Sequence, residues 1–222
     1  MIKKVSILKR EKGQLASLCD KYESDKGSVT AGSLYSGGWP AHDYTDFYEL
    51  IFGALRFSVK NLLEVGIGTN NPKLPSSMGI HAKPGASLRV WRDYFPNAKI
   101  LGADIDKDIL FSDERISTSY LDQTDPAEID EFFRLCEFKH FDVIIDDGLH
   151  TYHAAKTLFE HSWDHLNVGG IYIIEDAGWW SGDALDFIET KDVTYFGFGN
   201  IDKAVSPSDA NERYNKLIMV IK

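Results

Sequence analysis

The stretch that decides the fold is LLEVGIG, residues 62–68. Its apolar residues are typical of a buried strand, and they run directly into Gly66-Ile67-Gly68. In open α/β sheets, ligands bind where the chain leaves the carboxyl end of such a strand. Glycine allows the tight turn and lets the backbone approach a ligand with no Cβ between them. The stretch therefore predicts an α/β fold with a cofactor pocket at this turn.

The rest of the chain repeats this strand pattern. Helical periodicity at residues 87–95, 126–138 and 151–166 alternates with the first five predicted strands, which indicates a parallel sheet with helices on both faces. No helix long enough for a crossover separates the last two strands, so an antiparallel hairpin is expected there. The seven predicted strands are residues 61–65, 99–105, 116–121, 141–145, 170–174, 193–198 and 217–221.

Length and composition fit one domain over residues 1–222. The chain is 43% hydrophobic, enough for one sizeable core and too little for two ordinary domains. Segments 5–22 and 44–57 precede the first long strand and look helical, while residues 25–43 form a Gly- and Ser-rich loop. We expect residues 1–58 to be an N-terminal helical and lid extension over the site, and the loops 25–43 and 69–87 to close over a bound cofactor.

Charge and cysteine content exclude several classes of protein. Lys and Arg total 24 against 34 Asp and Glu, and a formal charge of −10 disfavours binding to nucleic acid or an anionic membrane. Only Cys19 and Cys136 are present, without a zinc or disulfide pattern, which fits a reducing compartment. No window approaches the ~20 apolar residues of a membrane span, and the first residues lack a secretion signal. We expect a cytoplasmic protein.

The glycine turn fits S-adenosylmethionine better than a dinucleotide. A dinucleotide fingerprint has a third Gly or Ala where this chain has Asn71. S-adenosylmethionine carries a cationic sulfonium and a ribose, which favour nearby carboxylates. Glu64 suits the cation, and Asp104, at the end of the strand in ILGADID, suits the ribose hydroxyls. Asp104 lies 40 residues after Glu64, a long spacing that the insertion at residues 69–87 explains.

The third strand ends in Asp122-Gln123, whose carboxylate and amide suit the adenine edge. A glycine turn by itself is equally well a structural turn, so the prediction depends on the ordered set of glycines and acids at successive strand ends. The predicted cofactor-binding residues are Glu64, Gly66, Gly68, Ser87, Asp104, Asp122, Gln123 and Asp146.

Acidic residues also end the fourth and fifth strands. In FDVIIDDGLH, residues 141–150, the predicted strand is followed by Asp146 and Asp147, directly before the glycine. In GGIYIIED, residues 169–176, the strand is followed by Glu175 and Asp176. Several carboxylates in one cleft repel each other unless a cation holds them, and oxygen ligands favour Mg²⁺ or a similar ion. Each acid has a structural alternative, since Asp147 before a glycine favours a turn and Asp176 is a suitable helix cap.

These motifs resemble those of the macrolide-sugar O-methyltransferases of the macrocin and mycinamicin type and the related cephalosporin-hydroxylase-like proteins. IDDGLH is followed by IIED, with Glu175 placed 28 residues after Asp147. The pieces SDKG, LLEVGIG, GASLRVWRDYFPNAKILGADID and YLDQTD occur upstream in the family order, so the resemblance covers residues 25–176. It implies a Rossmann-like class I methyltransferase with a seven-stranded, mostly parallel sheet and a C-terminal antiparallel hairpin.

The resemblance also assigns roles within the site. It implies that Asp147, Glu175 and Asp176 bind Mg²⁺ or another divalent cation such as Mn²⁺, and that His150 is the general base. This spacing is similar to that of catechol O-methyltransferase. The implied reaction is methyl transfer from S-adenosylmethionine to an oxygen of a small molecule, a sugar hydroxyl or diol, and a homo-oligomer is left open.

Two other functions are compatible with a Rossmann-like chain, and the sequence disfavours both. A nicotinamide-dependent Rossmann oxidoreductase is disfavoured by Asn71 and by the terminal hairpin. A non-catalytic cofactor-binding protein is disfavoured by the retained acids and by His150. His153 is expected to lie on a helix face. Trp179 and Trp180 either line a sugar site or pack under the sheet.

Overall fold

The computed structural model describes residues 3–4, 13–27, 44–80, 82–177, 186–191, 193–199 and 216–222. Within these ranges, nine strands form one sheet in the order β1-β8-β9-β7-β6-β2-β3-β5-β4. The strands are β1 (Lys3–Lys4), β2 (Asn61–Val65), β3 (Lys99–Asp104), β4 (Ser112–Asp113), β5 (Ile116–Tyr120), β6 (Phe141–Asp146), β7 (Leu166–Ile174), β8 (Thr194–Gly199) and β9 (Lys216–Ile221).

The centre of the sheet is parallel, as predicted. β2 lies between β3 and β6, and the outer neighbours β5 and β7 continue the same direction. Parallel neighbours place their carboxyl ends at one edge of the sheet. The glycine turn and the acidic strand ends therefore lie along a single edge, where open α/β sheets bind ligands.

The C-terminal antiparallel pair is also confirmed. β8 pairs with β9 in antiparallel register, and β9 lies between β8 and β7 and is antiparallel to both. All seven predicted strands are present, β2 at its predicted bounds and the other six with shifts at their ends. The two strands that were not predicted, β1 and β4, have two residues each, which is too short to show a period of two.

The helices are shorter than predicted. α2 ends at Phe52 with Gly53 as its cap, and the predicted segment 151–166 divides into α5 and a 3₁₀ turn, Trp163–His165. Residues 5–12 of the first predicted helix lie outside the described residues. The helices are α1 (Gln14–Tyr22), α2 (Thr45–Phe52), α3 (Ala86–Tyr94), α4 (Pro126–Leu135), α5 (Tyr152–Ser162) and α6 (Asp186–Glu189).

Two hydrophobic cores cover the two faces of the sheet. Along β2, Leu62 belongs to one core and Leu63 to the other, because successive strand residues point to opposite faces. Helices α1, α2 and α3 pack on the face of Leu62, and α4, α5 and α6 pack on the face of Leu63. The predicted three-layer arrangement is therefore correct. None of the described helices combines the length and the apolar character needed to cross a bilayer.

Candidate active site

A cavity of about 840 Å³ lies at the carboxyl ends of the parallel strands. Its volume is within the range that small-molecule sites occupy. The cavity lining includes nine of the predicted site residues: Gly66, Gly68, Asp104, Asp122, Gln123, Asp147, His150, Glu175 and Asp176. Glu64, Ser87 and Asp146 are not among the described lining residues and lie next to it. Residues 75–78, which belong to the insertion at residues 69–87, also line the cavity. The closure of this insertion over a ligand stays a prediction.

The glycine turn after β2 needs glycine for steric reasons. Gly66 and Gly68 have φ values of +88° and +86°, a region that residues with a side chain rarely adopt. A Cβ on Gly66 would lie 2.1 Å from the carbonyl oxygen of Asp147. The turn after β2 can therefore touch the turn after β6, which brings the predicted cofactor and metal residues together.

Asp104 holds the glycine turn in place. Its Oδ2 accepts a hydrogen bond from the backbone N–H of Ile67 at 2.8 Å, and its Oδ1 accepts one from Asp106 at 2.9 Å. Burial raises the pKa of Asp104 above its usual value. Each carboxylate oxygen has a further lone pair, so contact with a ribose stays compatible with these bonds. Binding of the ribose by Asp104 is still a prediction.

Gln123 connects the end of β5 to the loop that carries His150. Its Nε2 donates to Asp146 at 3.0 Å, and its Oε1 accepts from the backbone N–H of Leu149 at 2.8 Å. The neighbouring Asp122 accepts hydrogen bonds from the backbone and hydroxyl groups of Thr124. The structure thus gives Gln123 a positioning contact that sequence reasoning missed, and its predicted contact with adenine remains untested.

Glu64 is completely buried, and its two carboxylate oxygens have different surroundings. Its Oε2 accepts hydrogen bonds from Ser87 Oγ at 2.8 Å and Trp91 Nε1 at 3.1 Å. Its Oε1 has no hydrogen-bond partner but lies 3.2 Å from Lys26 Nζ. Burial raises the pKa of Glu64 to about 7, against the opposing effect of Lys26. Ser87 therefore donates a hydrogen bond to Glu64, and neither residue is among the described residues that line the cavity.

The structure divides the three predicted metal ligands between two groups of possible ligand atoms, and their role in metal binding stays a prediction. Asp147, His150 and Asp176 each offer a ligand atom within 4.8 Å of the others, and Glu64, Asp147 and Glu175 form a second such group. Asp147 belongs to both groups. Carboxylate oxygens are the donors that Mg²⁺ prefers, so the chemistry of this donor set fits the predicted ion.

Lys26, in the SDKG motif, is a site residue that received no role from the sequence. Its Nζ lies 2.5 Å from Asp147 Oδ2 and 2.7 Å from Glu175 Oε2. Burial by itself would lower the pKa of Lys26, but the surrounding carboxylates raise it well above its usual value. Burial raises the pKa of Glu175, with Asp147 adding to the rise and Lys26 opposing it. The ammonium group is therefore held charged among the acids.

Two tyrosines of the N-terminal segment bind the acids that follow β7. The hydroxyl of Tyr44 donates to Asp176 Oδ1 at 2.5 Å, and the hydroxyl of Tyr48 donates to Glu175 Oε1. The two tyrosines are four residues apart and so lie on one side of α2. That spacing was visible in the sequence, but nothing there indicated what it would face.

His150 lies between the loop after β6 and the first turn of α5. Its φ is +56°, which is uncommon for a residue with a side chain, and Thr151 immediately after it caps α5 through a bond from the N–H of Ala154. His150 Nε2 lies 4.0 Å from Asp176 Oδ2. The imidazole thus lines the cavity beside a predicted metal ligand. Trp179, Trp180 and residues 28–43 lie outside the described part of the chain.

Comparison with known proteins identifies the relatives of this site. The chain is 37% identical over 174 residues to an L-olivosyl-oleandolide 3-O-methyltransferase from Streptomyces antibioticus, covering 76% of this chain and 39% of that protein. It is 31% identical to a demethylmacrocin O-methyltransferase from Streptomyces fradiae, covering 81% of this chain and 44% of that protein. The chain is a relative of sugar O-methyltransferases. The resemblance that the motifs indicated is confirmed, although this chain spans less than half the length of these relatives.

The structure of one such O-methyltransferase relative has been solved. The MycE methyltransferase from the mycinamycin biosynthetic pathway, in complex with Mg and SAH, superimposes with a TM-score of 0.65 at 25% identity, covering 96% of this chain and 55% of that one. The fold is therefore that of the Rossmann-like methyltransferases, as expected. No family model matches the chain.

Proposed function

We propose that this chain is the catalytic domain of a metal-dependent O-methyltransferase, which transfers the methyl group of S-adenosylmethionine to a sugar hydroxyl of a glycosylated natural product. The observation that carries the proposal is the meeting of Asp147, His150 and Asp176 at one wall of the cavity. This arrangement joins metal donors and a candidate base beside the glycine turn. The proposal also draws on the printed activities of the relatives.

The cavity can accommodate the methyl donor along the sheet edge. Gly66 and Gly68 leave room for the amino-acid end, and Asp104 and Asp122 follow on the next two strand ends. This order matches the ligand crevice of open α/β sheets, where successive strand ends bind successive parts of one molecule. The relative MycE was solved with SAH. We therefore assign this side of the cavity to S-adenosylmethionine.

The cavity also offers the acids Asp147, Glu175 and Asp176 for Mg²⁺ or Mn²⁺. When bound, the divalent cation supplies a Lewis acid that makes the acceptor hydroxyl more acidic, and S-adenosylmethionine supplies an electrophilic methyl group. Asp147 and Asp176 lie near His150, so the three side chains orient the acceptor hydroxyl toward the donor.

His150 is assigned as the general base. Its imidazole lies at the cavity surface with 20% of the side chain exposed, so an acceptor hydroxyl can reach it. An imidazole nitrogen can take the hydroxyl proton as the oxygen–carbon bond forms. The thioether that leaves is neutral and needs no proton, so one base is sufficient. Asp176, 4.0 Å from Nε2, stabilises the imidazolium that results.

The acceptor is proposed to be a sugar or a similar diol. Relatives are named as O-methyltransferases of L-olivosyl-oleandolide and of a rhamnosyl tetracenomycin C, the second a 3'-O-methyltransferase from Streptomyces olivaceus. The formal charge of −10 disfavours a nucleic-acid acceptor, and we infer a small-molecule acceptor and a cytoplasmic location. Adjacent hydroxyls on a sugar ring would offer two oxygen donors to a cation held by these acids, which would orient the acceptor.

A two-part experiment tests the proposal. Isothermal titration with S-adenosylhomocysteine and with NAD should show binding of the former alone. Methyl transfer from labelled S-adenosylmethionine to a panel of glycosides should require Mg²⁺ or Mn²⁺ and stop with a chelator. Binding of NAD, or transfer that a chelator does not affect, would contradict the proposal.

A further inference from the structure

Lys26 is a buried cation that the proposed reaction does not use. Its side chain is only 3% exposed, and its Nζ lies within 3.2 Å of carboxylate oxygens from Glu64, Asp147 and Glu175. Burying an ammonium group is costly unless it is paired with opposite charge. We call these three acids and Lys26 the inner charge cluster.

The backbone around Lys26 holds the ammonium group in this place. α1 ends at Tyr22, and the following turn is closed by the bond from the N–H of Ser24 to the carbonyl of Cys19. Gly27 packs so closely on α1 that a Cβ would lie 2.5 Å from that of Cys19. The carbonyl of Lys26 accepts the N–H of Tyr44. The lysine therefore enters the cluster from a fixed backbone.

The inner charge cluster overlaps the proposed metal site. Two of the three proposed metal ligands, Asp147 and Glu175, already accept hydrogen bonds from Lys26. Three carboxylates whose oxygens lie within 4.8 Å of one another repel strongly if no cation is present. Lys26 supplies that cation from within the chain. An ammonium and a divalent ion that share carboxylates also repel each other, because both carry positive charge.

We propose that Lys26 is a built-in counter-ion that gathers the acids of the metal-free protein and lowers the affinity of the site for a divalent cation. The proposal rests on the proposed function only in placing the divalent cation at Asp147 and Glu175. By linkage, the two cations oppose each other reciprocally: Lys26 weakens metal binding, and a bound metal makes Lys26 less necessary for stability. A purely structural ion pair would leave metal affinity unchanged.

The test compares the full chain with Lys26→Met, which keeps an unbranched side chain of similar volume and removes the ammonium group. Thermal unfolding without metal should occur roughly 6 °C or more below the wild type, because three buried acids lose their partner. Mg²⁺ should raise the melting temperature of Lys26→Met more than that of the wild type. Calorimetric titration with Mg²⁺ alone should give an affinity about fivefold or more higher in the variant.

Two further variants make the result decisive. Lys21→Met removes an exposed lysine at the end of α1 that pairs with Asp93, and it should leave the response to Mg²⁺ unchanged. Lys26→Gln keeps a hydrogen-bond donor without the charge and should behave like Lys26→Met. If neither Lys26 variant folds without metal but Mg²⁺ restores folding, the proposal is supported. If Mg²⁺ does not restore it, the proposal is wrong.

The outcomes also separate this proposal from the proposed function. An equal or weaker affinity for Mg²⁺ in the Lys26 variants than in the wild type overturns the counter-ion role. Failure of the wild type to bind Mg²⁺ contradicts the metal-dependent function. In that case, Mg²⁺ binding gained by Lys26→Met would still support the counter-ion role, and no gain would refute it.

Discussion

Tyr48 donates its hydroxyl to Glu175 across 127 residues of sequence. This bond joins α2, in the N-terminal segment, to the acid that follows β7. Tyr44 likewise donates its hydroxyl to Asp176, and Lys26 donates a hydrogen bond to Glu175. Residues 1–58 were predicted to be an extension over the site. In their described part, they also supply groups that hold the proposed metal ligands.

Replacing Tyr48 with Phe should destabilise the protein without changing its shape. The substitution removes the donor to a buried Glu175 oxygen, and an unsatisfied buried acceptor costs about 1–3 kcal/mol. Tyr152→Phe is the matched control, because Tyr152 donates to an exposed acid, Asp186. Urea unfolding should show a loss for Tyr48→Phe that exceeds the loss for Tyr152→Phe. Equal losses would mean that the bond to Glu175 contributes no more than a surface contact.

Substitutions of the acids should separate metal binding from cofactor binding. Asp147→Asn and Glu175→Gln should abolish metal-dependent methyl transfer and leave the affinity for S-adenosylmethionine nearly intact. Asp104→Ala should weaken cofactor binding, because Asp104 holds the glycine turn at Ile67. Calorimetry with S-adenosylhomocysteine and turnover with Mg²⁺ measure the two properties. The same loss of cofactor affinity in all three variants would contradict this division.

Asp146 should make stability depend on pH. Burial raises the pKa of its carboxyl from 3.8 to about 6, so between these values the folded protein keeps a proton that the unfolded chain has released. The stabilisation that this proton gives is fully present below pH 3.8 and is lost as the pH rises through about 6. Asp146→Asn stays neutral and avoids the loss.

The measurement for Asp146 is urea unfolding of both proteins across this pH range. Relative to the wild type, Asp146→Asn should gain stability as the pH rises, up to about 3 kcal/mol for a shift of about two pKa units. Groups that do not interact with Asp146 titrate in both proteins and cancel in the difference. A difference that does not vary with pH would show that Asp146 has an ordinary pKa in the folded state.

The sequence predicted the centre of the sheet well because that part of the fold follows from local pattern. β2 was predicted at its observed bounds, since four of its five residues are buried. The acids at the strand ends were predicted to meet because parallel strands share an edge. Only β1 and β4, with two residues each, gave no pattern to detect.

The missed residues depend on tertiary packing. Lys26 lies in a polar stretch that resembles a loop, where a lysine is usually exposed, and the backbone beside it is fixed by tertiary contacts such as the close packing of Gly27 on Cys19. Tyr48 is part of an apolar helix whose partner, Glu175, lies far away in sequence. Neither contact has a local signature. By contrast, His150 was assigned through the resemblance of the IDDGLH motif to a known family, and the structure does place it at the cavity.

Replacing His150 with Ala should remove chemistry and leave binding unchanged. His150 lies at the cavity surface beside Asp176, and a positioned base contributes typically about 10²–10⁴-fold to the rate. Single-turnover methyl transfer by His150→Ala should fall by about that factor, with both ligand affinities little changed. His153→Ala is the control, because His153 belongs to α5 and is not among the described residues that line the cavity.

Thermal unfolding of the same preparations separates catalysis from folding. The positive φ of His150 is compatible with Ala only at some cost in stability, so His150→Ala should unfold at a slightly lower temperature. Since single-turnover rates are expressed per folded molecule, this cost does not produce the predicted loss of rate. A near-normal rate in His150→Ala would show that another group removes the proton, and the role of His150 would then be to position α5.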